Sequence, residues 1–274
     1  MGNSITTTAD RRIEIDGIAF HVRVEGAGNT APWLTFSNSH ATDLHLWDKQ
    51  VAPLCHNFRI LRYDTRGHGA TTASDGAYDM RRLAADVIAL WDALDIRESH
   101  FVGLSLGGTT GLELAATHSG RVLSLASCDC RHTATPDFVA AWGPRIALAR
   151  TRGMGALVEP TIERWFTPSF RDRNPPELEK IRTMIRQTSV AGYIGCAEAL
   201  KGIDTKKRLG NIRCPVLVLG GAFDPPAPPA LMADIARSIT NARHEIIADA
   251  AHMANIEQPE AFNRALGAFL AEVA

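Results

Sequence analysis

The sequence predicts an α/β fold, in which helices flank a mostly parallel, eight-stranded sheet and a helical segment is inserted between two strands. Short apolar runs alternate with helical patterns, which is typical of parallel strands covered on both faces. The first part of the chain instead alternates apolar and polar residues, as antiparallel strands with one solvent-exposed face do. Residues 131–208 break the rhythm because they contain no convincing strand.

The individual elements follow from these patterns. Residues 12–16 and 20–25 alternate around Gly17 and predict an antiparallel hairpin. Six apolar runs predict the remaining strands, at residues 33–36, 59–63, 101–104, 122–126, 216–219 and 244–248. Apolar residues recur every three or four positions at 83–94 and 261–270, so both segments are expected to be amphipathic helices packed on the sheet.

The long segment without strands is expected to be a helical cap. It contains helical patterns at 138–152, 157–166 and 177–187, punctuated by prolines. Such insertions exclude water and shape a substrate pocket. The alternative is an insertion that has only a structural role. We therefore predict a core domain of residues 1–130 and 207–274 and a cap of residues 131–206.

Composition restricts the classes of function. The 274 residues have a formal net charge of −1, which does not favour nucleic acid or an anionic membrane as a partner. Five scattered cysteines argue against a disulfide framework and for a reducing compartment. No apolar run approaches the ~18 residues of a membrane span, and residues 1–10 lack the apolar region of a signal peptide. A cytoplasmic protein is predicted, and a homo-oligomer is left open.

The most informative stretch is Gly103-x-Ser105-x-Gly107, between an apolar strand and a helix rich in small residues. This context is that of a nucleophile elbow, a strained turn that exposes a serine hydroxyl at the end of a strand. The two glycines are expected where strand and helix nearly touch, because a Cβ would clash there. Ser105 is therefore the predicted nucleophile.

A nucleophilic serine needs a base, and the base needs an orienting acid. In this architecture the chain order is serine, acid, histidine. Asp224 and His252 follow successive strands, at the edge where open parallel sheets place their sites. Asp129, which follows the strand after the nucleophile helix, is the alternative acid. His100 precedes the nucleophile strand and is expected at the surface.

Two backbone N–H groups are expected to form an oxyanion hole. One is that of Leu106, directly after the nucleophile, and the second is placed at His40 in the loop after strand 33–36. The imidazole of His40 either faces the pocket or only packs the loop.

These motifs together resemble the α/β-hydrolase superfamily, and within it the bacterial 3-oxoadipate enol-lactonases. The resemblance covers nearly the whole chain. Its most specific pieces are Ser37-Asn38-Ser39, Phe58-Arg59-Ile60-Leu61-Arg62-Tyr63-Asp64-Thr65-Arg66-Gly67-His68-Gly69, Gly103-Leu104-Ser105-Leu106-Gly107-Gly108, Trp142-Gly143-Pro144-Arg145 and Arg164-Trp165-Phe166-Thr167. The chain departs from the family at His40-Ala41, where these lactonases tend to have Leu-Gly, and at residues 128–132.

The resemblance implies a Ser105–Asp224–His252 triad, no metal, no organic cofactor, and hydrolysis of a small lactone or ester in aromatic-compound catabolism. A carboxylesterase or a carbon–carbon bond hydrolase is the alternative, followed by a receptor or a cofactor-free oxygenase or perhydrolase. An anionic lactone needs one or two inward-facing arginines, since a guanidinium binds a carboxylate through two hydrogen bonds. Arg131 is the first candidate and Arg145 the second, with Trp142 and Trp165 as further candidate substrate contacts.

Overall fold

The computed structural model describes residues 10–274. Residues 1–9, which include most of the segment examined for a signal peptide and the start of the predicted core domain, lie outside the described residues. The structure contains eight strands, namely β1 (Arg11–Ile15), β2 (Ile18–Gly26), β3 (Trp33–Ser37), β4 (Arg59–Tyr63), β5 (Ser99–Leu104), β6 (Val122–Cys128), β7 (Val216–Gly221) and β8 (Ala242–Ile247).

The strands form one sheet in the order β1-β2-β4-β3-β5-β6-β7-β8. The strand β2 pairs antiparallel with both β1 and β4, and all other neighbouring strands are parallel. The eight predicted strands and the mostly parallel sheet are confirmed. Because parallel strands end at the same edge, the loops after β3, β5, β6 and β7 meet there.

Six helices accompany the core strands, namely α1 (Asp48–Leu54), α2 (Met80–Ala93), α3 (Leu106–Thr117), α10 (Pro229–Arg237), α11 (Ala254–Glu257) and α12 (Pro259–Val273). Two buried apolar clusters lie on the opposite faces of the sheet, since side chains alternate along each strand. Val102 and Leu104 of β5 belong to one cluster, for example, and Phe101 to the other. Within residues 10–274, every helix is too short or too polar to span a bilayer.

The segment between β6 and β7 is helical, as expected. It contains α4 (Pro136–Ala140), α5 (Trp142–Arg152), α6 (Val158–Trp165), α7 (Pro168–Arg173), α8 (Pro176–Gln187) and α9 (Val190–Lys201). We call residues 134–203 the helical insertion. Its ends meet, because the Ala134 N–H donates to the Ile203 carbonyl at 3.1 Å and Thr133 pairs with Asp204 in an isolated β-bridge.

Two local expectations were wrong. The helix predicted at 138–152 is divided between α4 and α5. Pro144 has no N–H to donate to the carbonyl of Ala140, so the helical hydrogen-bond pattern is interrupted there. His100 is buried and not exposed, with Nδ1 2.8 Å from the Ser124 hydroxyl. It belongs to β5, which lies between β3 and β6 in the interior of the sheet.

Candidate active site

Ser105 lies at a strained turn between β5 and α3. Its φ of +56° is in the left-handed region, which is costly for a residue with a side chain. A Cβ on Gly103 would overlap the Gly107 carbonyl, and a Cβ on Gly107 would overlap the Ser37 carbonyl. The Ser105 N–H donates to the Cys128 carbonyl at 2.8 Å, which anchors the turn to β6. The two glycines thus permit the close approach that holds the serine hydroxyl at the end of the strand.

Three of the predicted site residues form one hydrogen-bonded line. His252 Nε2 lies 2.9 Å from Ser105 Oγ, and His252 Nδ1 lies 2.9 Å from Asp224 Oδ2. His252 and Asp224 are buried, whereas Ser105 is partly exposed. An ionised carboxylate only accepts hydrogen bonds, so the Nδ1–H of His252 donates to Asp224. The lone pair of Nε2 is then directed to the Ser105 hydroxyl.

The loop bearing His252 is held by Glu257, which is not among the site residues predicted from the sequence. Its two carboxylate oxygens accept hydrogen bonds from the Ala251 N–H at 2.7 Å and from the Thr167 hydroxyl at 2.6 Å. Burial raises the pKa of the Glu257 carboxyl above its usual value. Because Thr167 belongs to the helical insertion, Glu257 joins the insertion to the histidine loop. The ring of Trp165, also in the insertion, lies 6.0 Å from the His252 ring between centroids.

The two backbone groups predicted as oxyanion donors are both free. Within residues 10–274, neither the Leu106 N–H nor the His40 N–H donates to another residue. The Leu106 N–H is in the first turn of α3, where helical N–H groups lack partners. The loop bearing His40 is joined to this turn because the Asn38 carbonyl accepts the Gly107 N–H at 3.0 Å.

The imidazole of His40 lines the cavity and also packs the loop. Its Nε2 lies 2.9 Å from the Tyr193 carbonyl, and its ring centroid lies 4.4 Å from the Tyr193 ring and 5.3 Å from the Trp142 ring. Burial lowers the pKa of His40 well below its usual value, so the ring is neutral near pH 7. Since a carbonyl only accepts, the proton of the neutral ring is on Nε2.

A cavity opens at Ser105, and its empty space, including the part open to solvent, is about 550 Å³. Trp142 and Trp165, both predicted as substrate contacts, line it. Arg131 also lines it, but its Nη1 donates to the Pro226 carbonyl at 2.5 Å and its guanidinium lies 4.4 Å from the centroid of the Phe138 ring. Part of its hydrogen-bonding capacity is thus used within the protein.

Two further cationic side chains, Arg145 and Arg164, line the cavity, and like Arg131 they have no acidic partner among the described residues. The guanidinium of Arg145 lies 5.0 Å from the centroid of the Trp142 ring and makes no hydrogen bond within residues 10–274. Arg164 donates to the Pro160 carbonyl at 3.2 Å. Burial, together with the charge of Arg145, lowers the pKa of Arg164 to about 10, so Arg164 is cationic near pH 7. Burial also lowers the pKa of Arg145, although a guanidinium stays protonated in proteins. Arg164 was not proposed from the sequence as a carboxylate ligand, although its motif was noted.

The chain is similar to known proteins in both sequence and fold. A family model described as the alpha/beta hydrolase fold matches residues 32–259. The chain is 37% identical over 239 residues to 3-oxoadipate enol-lactonase 2 of Acinetobacter baylyi, which covers 87% of this chain and 88% of that protein. The crystal structure of the enol-lactonase from Burkholderia xenovorans LB400 is 40% identical, with a TM-score of 0.91 over 95% of this chain and 100% of that one. A thermophilic esterase from Thermogutta terrifontis is 30% identical, with a TM-score of 0.87 over 97% and 99% of the two chains.

Proposed function

Because this chain belongs to the α/β-hydrolase fold family, we propose that it is a serine hydrolase that opens a small anionic lactone through an acyl-enzyme at Ser105. The chain of hydrogen bonds from Ser105 through His252 to Asp224, beside a cavity lined by three arginines without an acidic partner among the described residues, is the observation that supports this most strongly. The similarity to 3-oxoadipate enol-lactonases makes the enol-lactone of 3-oxoadipate the proposed substrate.

The first half of the reaction acylates the serine. His252 Nε2 takes the hydroxyl proton of Ser105 as Oγ attacks the lactone carbonyl, and the Asp224 carboxylate stabilises the imidazolium that forms. The backbone N–H groups of Leu106 and His40 hold the tetrahedral oxyanion. The ring C–O bond then breaks, and His252 returns its proton to the leaving enol oxygen.

The second half releases the product. The enol remains part of the acyl group, because a lactone contains its own leaving group, and it tautomerises to a ketone. A water molecule gives its proton to His252 and attacks the ester of Ser105 through the same oxyanion hole. Ser105 then recovers its proton and a dicarboxylate leaves.

We assign the substrate carboxylate to Arg145 and Arg164. Both are cationic, half-buried and free of acidic partners, so each retains donors for an incoming anion. Arg131, the first candidate from the sequence, donates to the carbonyls of Thr133 and Pro226 outside any helix of its own and is assigned to the wall of the cavity. The contacts of Arg164, in contrast, are longer than that to Pro226 and lie within its own helix.

A screen of matched substrates tests this proposal. We expect kcat/KM for small lactones that carry a carboxylate to exceed that for neutral lactones of the same ring size and for p-nitrophenyl acetate. A carboxylesterase, which is the alternative, would prefer the neutral esters. Turnover of none of these substrates, by protein shown to be folded, would favour a non-hydrolytic member of the fold.

The setting of the activity belongs to the same proposal. We predict that the protein acts on a small molecule in the cytoplasm, without an organic cofactor or a metal. We also predict a core of residues 1–130 and 207–274 and a cap of residues 131–206. The free thiols of all five cysteines support a reducing compartment. The paired ends of the helical insertion support the boundaries of the cap.

A further inference from the structure

A second carboxyl group, that of Asp129, lies beside the triad acid. Asp129 directly follows β6 with a φ of +46° and is fully buried. Its Oδ1 accepts the Gly221 N–H at 2.8 Å, and the Gly221 carbonyl in turn accepts the Asp224 N–H at 3.4 Å. A hydrogen bond with the Asp224 carboxyl is among the causes that raise the pKa of Asp129. The end of β7 connects the two acids through Gly221.

The two carboxyl groups have unequal sets of donors. Asp224 accepts from the Ala227 N–H at 3.0 Å through Oδ1 and from His252 through Oδ2. Asp129 accepts only from Gly221 among the described residues, and its Oδ2 is buried without a partner. A buried carboxylate oxygen without a donor is costly, whereas a protonated one can itself donate. The donors therefore favour the negative charge on Asp224 and the proton on Asp129.

Burial and the surrounding charges also favour the protonated form of Asp129. Burial is the main cause that raises the pKa of Asp129 well above its usual value, and the charges of Asp224 and Glu257 add to it. The neighbouring thiols of Cys128 and Cys130 are also buried, and burial raises the pKa of both, so they are neutral near pH 7. Two adjacent buried carboxyl groups do not both ionise when one proton can be shared between them.

We propose that Asp129 keeps its proton and donates it through Oδ2 to the Asp224 carboxylate, which makes Asp129 a positioning residue for the triad. Arg131, two positions further along the chain, directs Nη1 to the Pro226 carbonyl and makes no ion pair with either carboxyl group among the described residues. Asp224 then has a third donor beside those of Ala227 and His252, so its carboxylate is fixed in the orientation that His252 requires. This inference rests on the proposed catalytic role of the triad.

Kinetics of two variants test the positioning role. Asp129→Ala removes the donor and should lower kcat for p-nitrophenyl acetate about tenfold to a hundredfold, with little change in KM. Asp129→Asn retains a donor for Asp224 and an acceptor for Gly221, and should restore most of that loss. A wild-type kcat in Asp129→Ala, or a loss in Asp129→Asn as large as that in Asp129→Ala, would contradict the proposal.

Infrared spectroscopy tests the proton itself. Asp129→Asn is the matched variant, because its side chain keeps a donor and an acceptor but cannot ionise.

The infrared difference between wild type and Asp129→Asn near pH 7 should contain the C=O stretch of a protonated carboxyl. A carboxylate band in its place would overturn the proposal. This spectrum needs no substrate and no stable alanine variant, so its failure is distinguishable from failure of the proposed function.

Discussion

His40 Nε2 lies 2.9 Å from the carbonyl oxygen of Tyr193, so a hydrogen bond joins the loop after β3 to helix α9 of the insertion. The same residue supplies one of the two proposed oxyanion N–H groups from its backbone. Its side chain therefore connects the helical insertion to the loop that supplies this N–H group. Similar lactonases tend to have leucine at this position.

The side chain and the backbone of His40 thus have different proposed roles, and a substitution can remove one without the other. We expect His40→Leu to lower the free energy of unfolding by about 1 kcal/mol, because one net hydrogen bond is lost. It should change kcat for p-nitrophenyl acetate less than about threefold, because the backbone donor remains. Thermal unfolding and steady-state kinetics measure both effects. A large loss of kcat at unchanged KM would instead mean that the imidazole takes part in the chemistry.

The arginine assignment predicts a loss that depends on substrate charge. Arg145→Ala and Arg164→Ala should each lower kcat/KM about 30- to 1000-fold with carboxylate-bearing lactones, which corresponds to roughly 2–4 kcal/mol, and much less with neutral esters. Arg150→Ala is the matched control, because Arg150 lies exposed on α5 with Arg145. Equal losses on anionic and neutral substrates would show that neither arginine recognises charge.

The buried histidine His68 predicts a pH dependence of stability. Burial lowers its pKa to about 4, whereas an unfolded histidine titrates near 6.5. Between those two pH values the unfolded chain binds a proton that the folded chain excludes. Stability is therefore fully present above about pH 6.5 and falls as the pH decreases toward about 4, by up to roughly 3 kcal/mol.

We expect His68→Gln to lose less stability than wild type between about pH 7 and about pH 5 in urea unfolding. His56→Gln is the control, since the side chain of His56 is exposed. Identical pH dependence in wild type and His68→Gln would contradict this linkage.

The helical insertion predicts specificity. A variant in which a short Gly-Ser linker replaces residues 134–203 should lose the preference for anionic lactones, because Arg145 and Arg164 both belong to the insertion. It should also become less soluble, since the apolar mouth beneath Trp142 and Trp165 would face water. Relative kcat/KM and the concentration at which the variant aggregates are the measurements. A truncated protein with native substrate preference would refute the assignment of specificity to the insertion.

Much of this site could be predicted from the sequence because its parts are local. The elbow around Ser105 is a continuous motif, and Asp224 and His252 each follow an apolar strand directly. A parallel sheet then brings the three loops to one edge without further information. The structure has them within hydrogen-bonding distance of one another.

The remaining features depend on contacts between distant segments. Helix α9 has no distinct apolar stripe, because seven of its twelve residues are buried and its Gly192 and Gly195 pack closely against Gly67 and Tyr78. Arg131 could be placed at the end of a strand, but its contact with Pro226, 95 positions further on, could not be foreseen. The meeting of Asp129 and Asp224 is of the same kind.

The triad predicts what single substitutions do to chemistry. Ser105→Ala and His252→Ala should each lower hydrolysis by several orders of magnitude and leave the fold intact, and Asp224→Asn should also cost heavily because it removes the acceptor for His252. Circular dichroism serves as the control for folding. A mild Asp224→Asn together with a crippling Asp129→Asn would make Asp129 the acid.

The most direct measurement of the central claim is the decay of the 3-oxoadipate enol-lactone absorbance with wild-type protein and with Ser105→Ala. We predict rapid ring opening by the wild type, and a kcat/KM at least roughly a thousandfold lower in Ser105→Ala. Ring opening at equal rates by both proteins, or none by the wild type, would contradict the account.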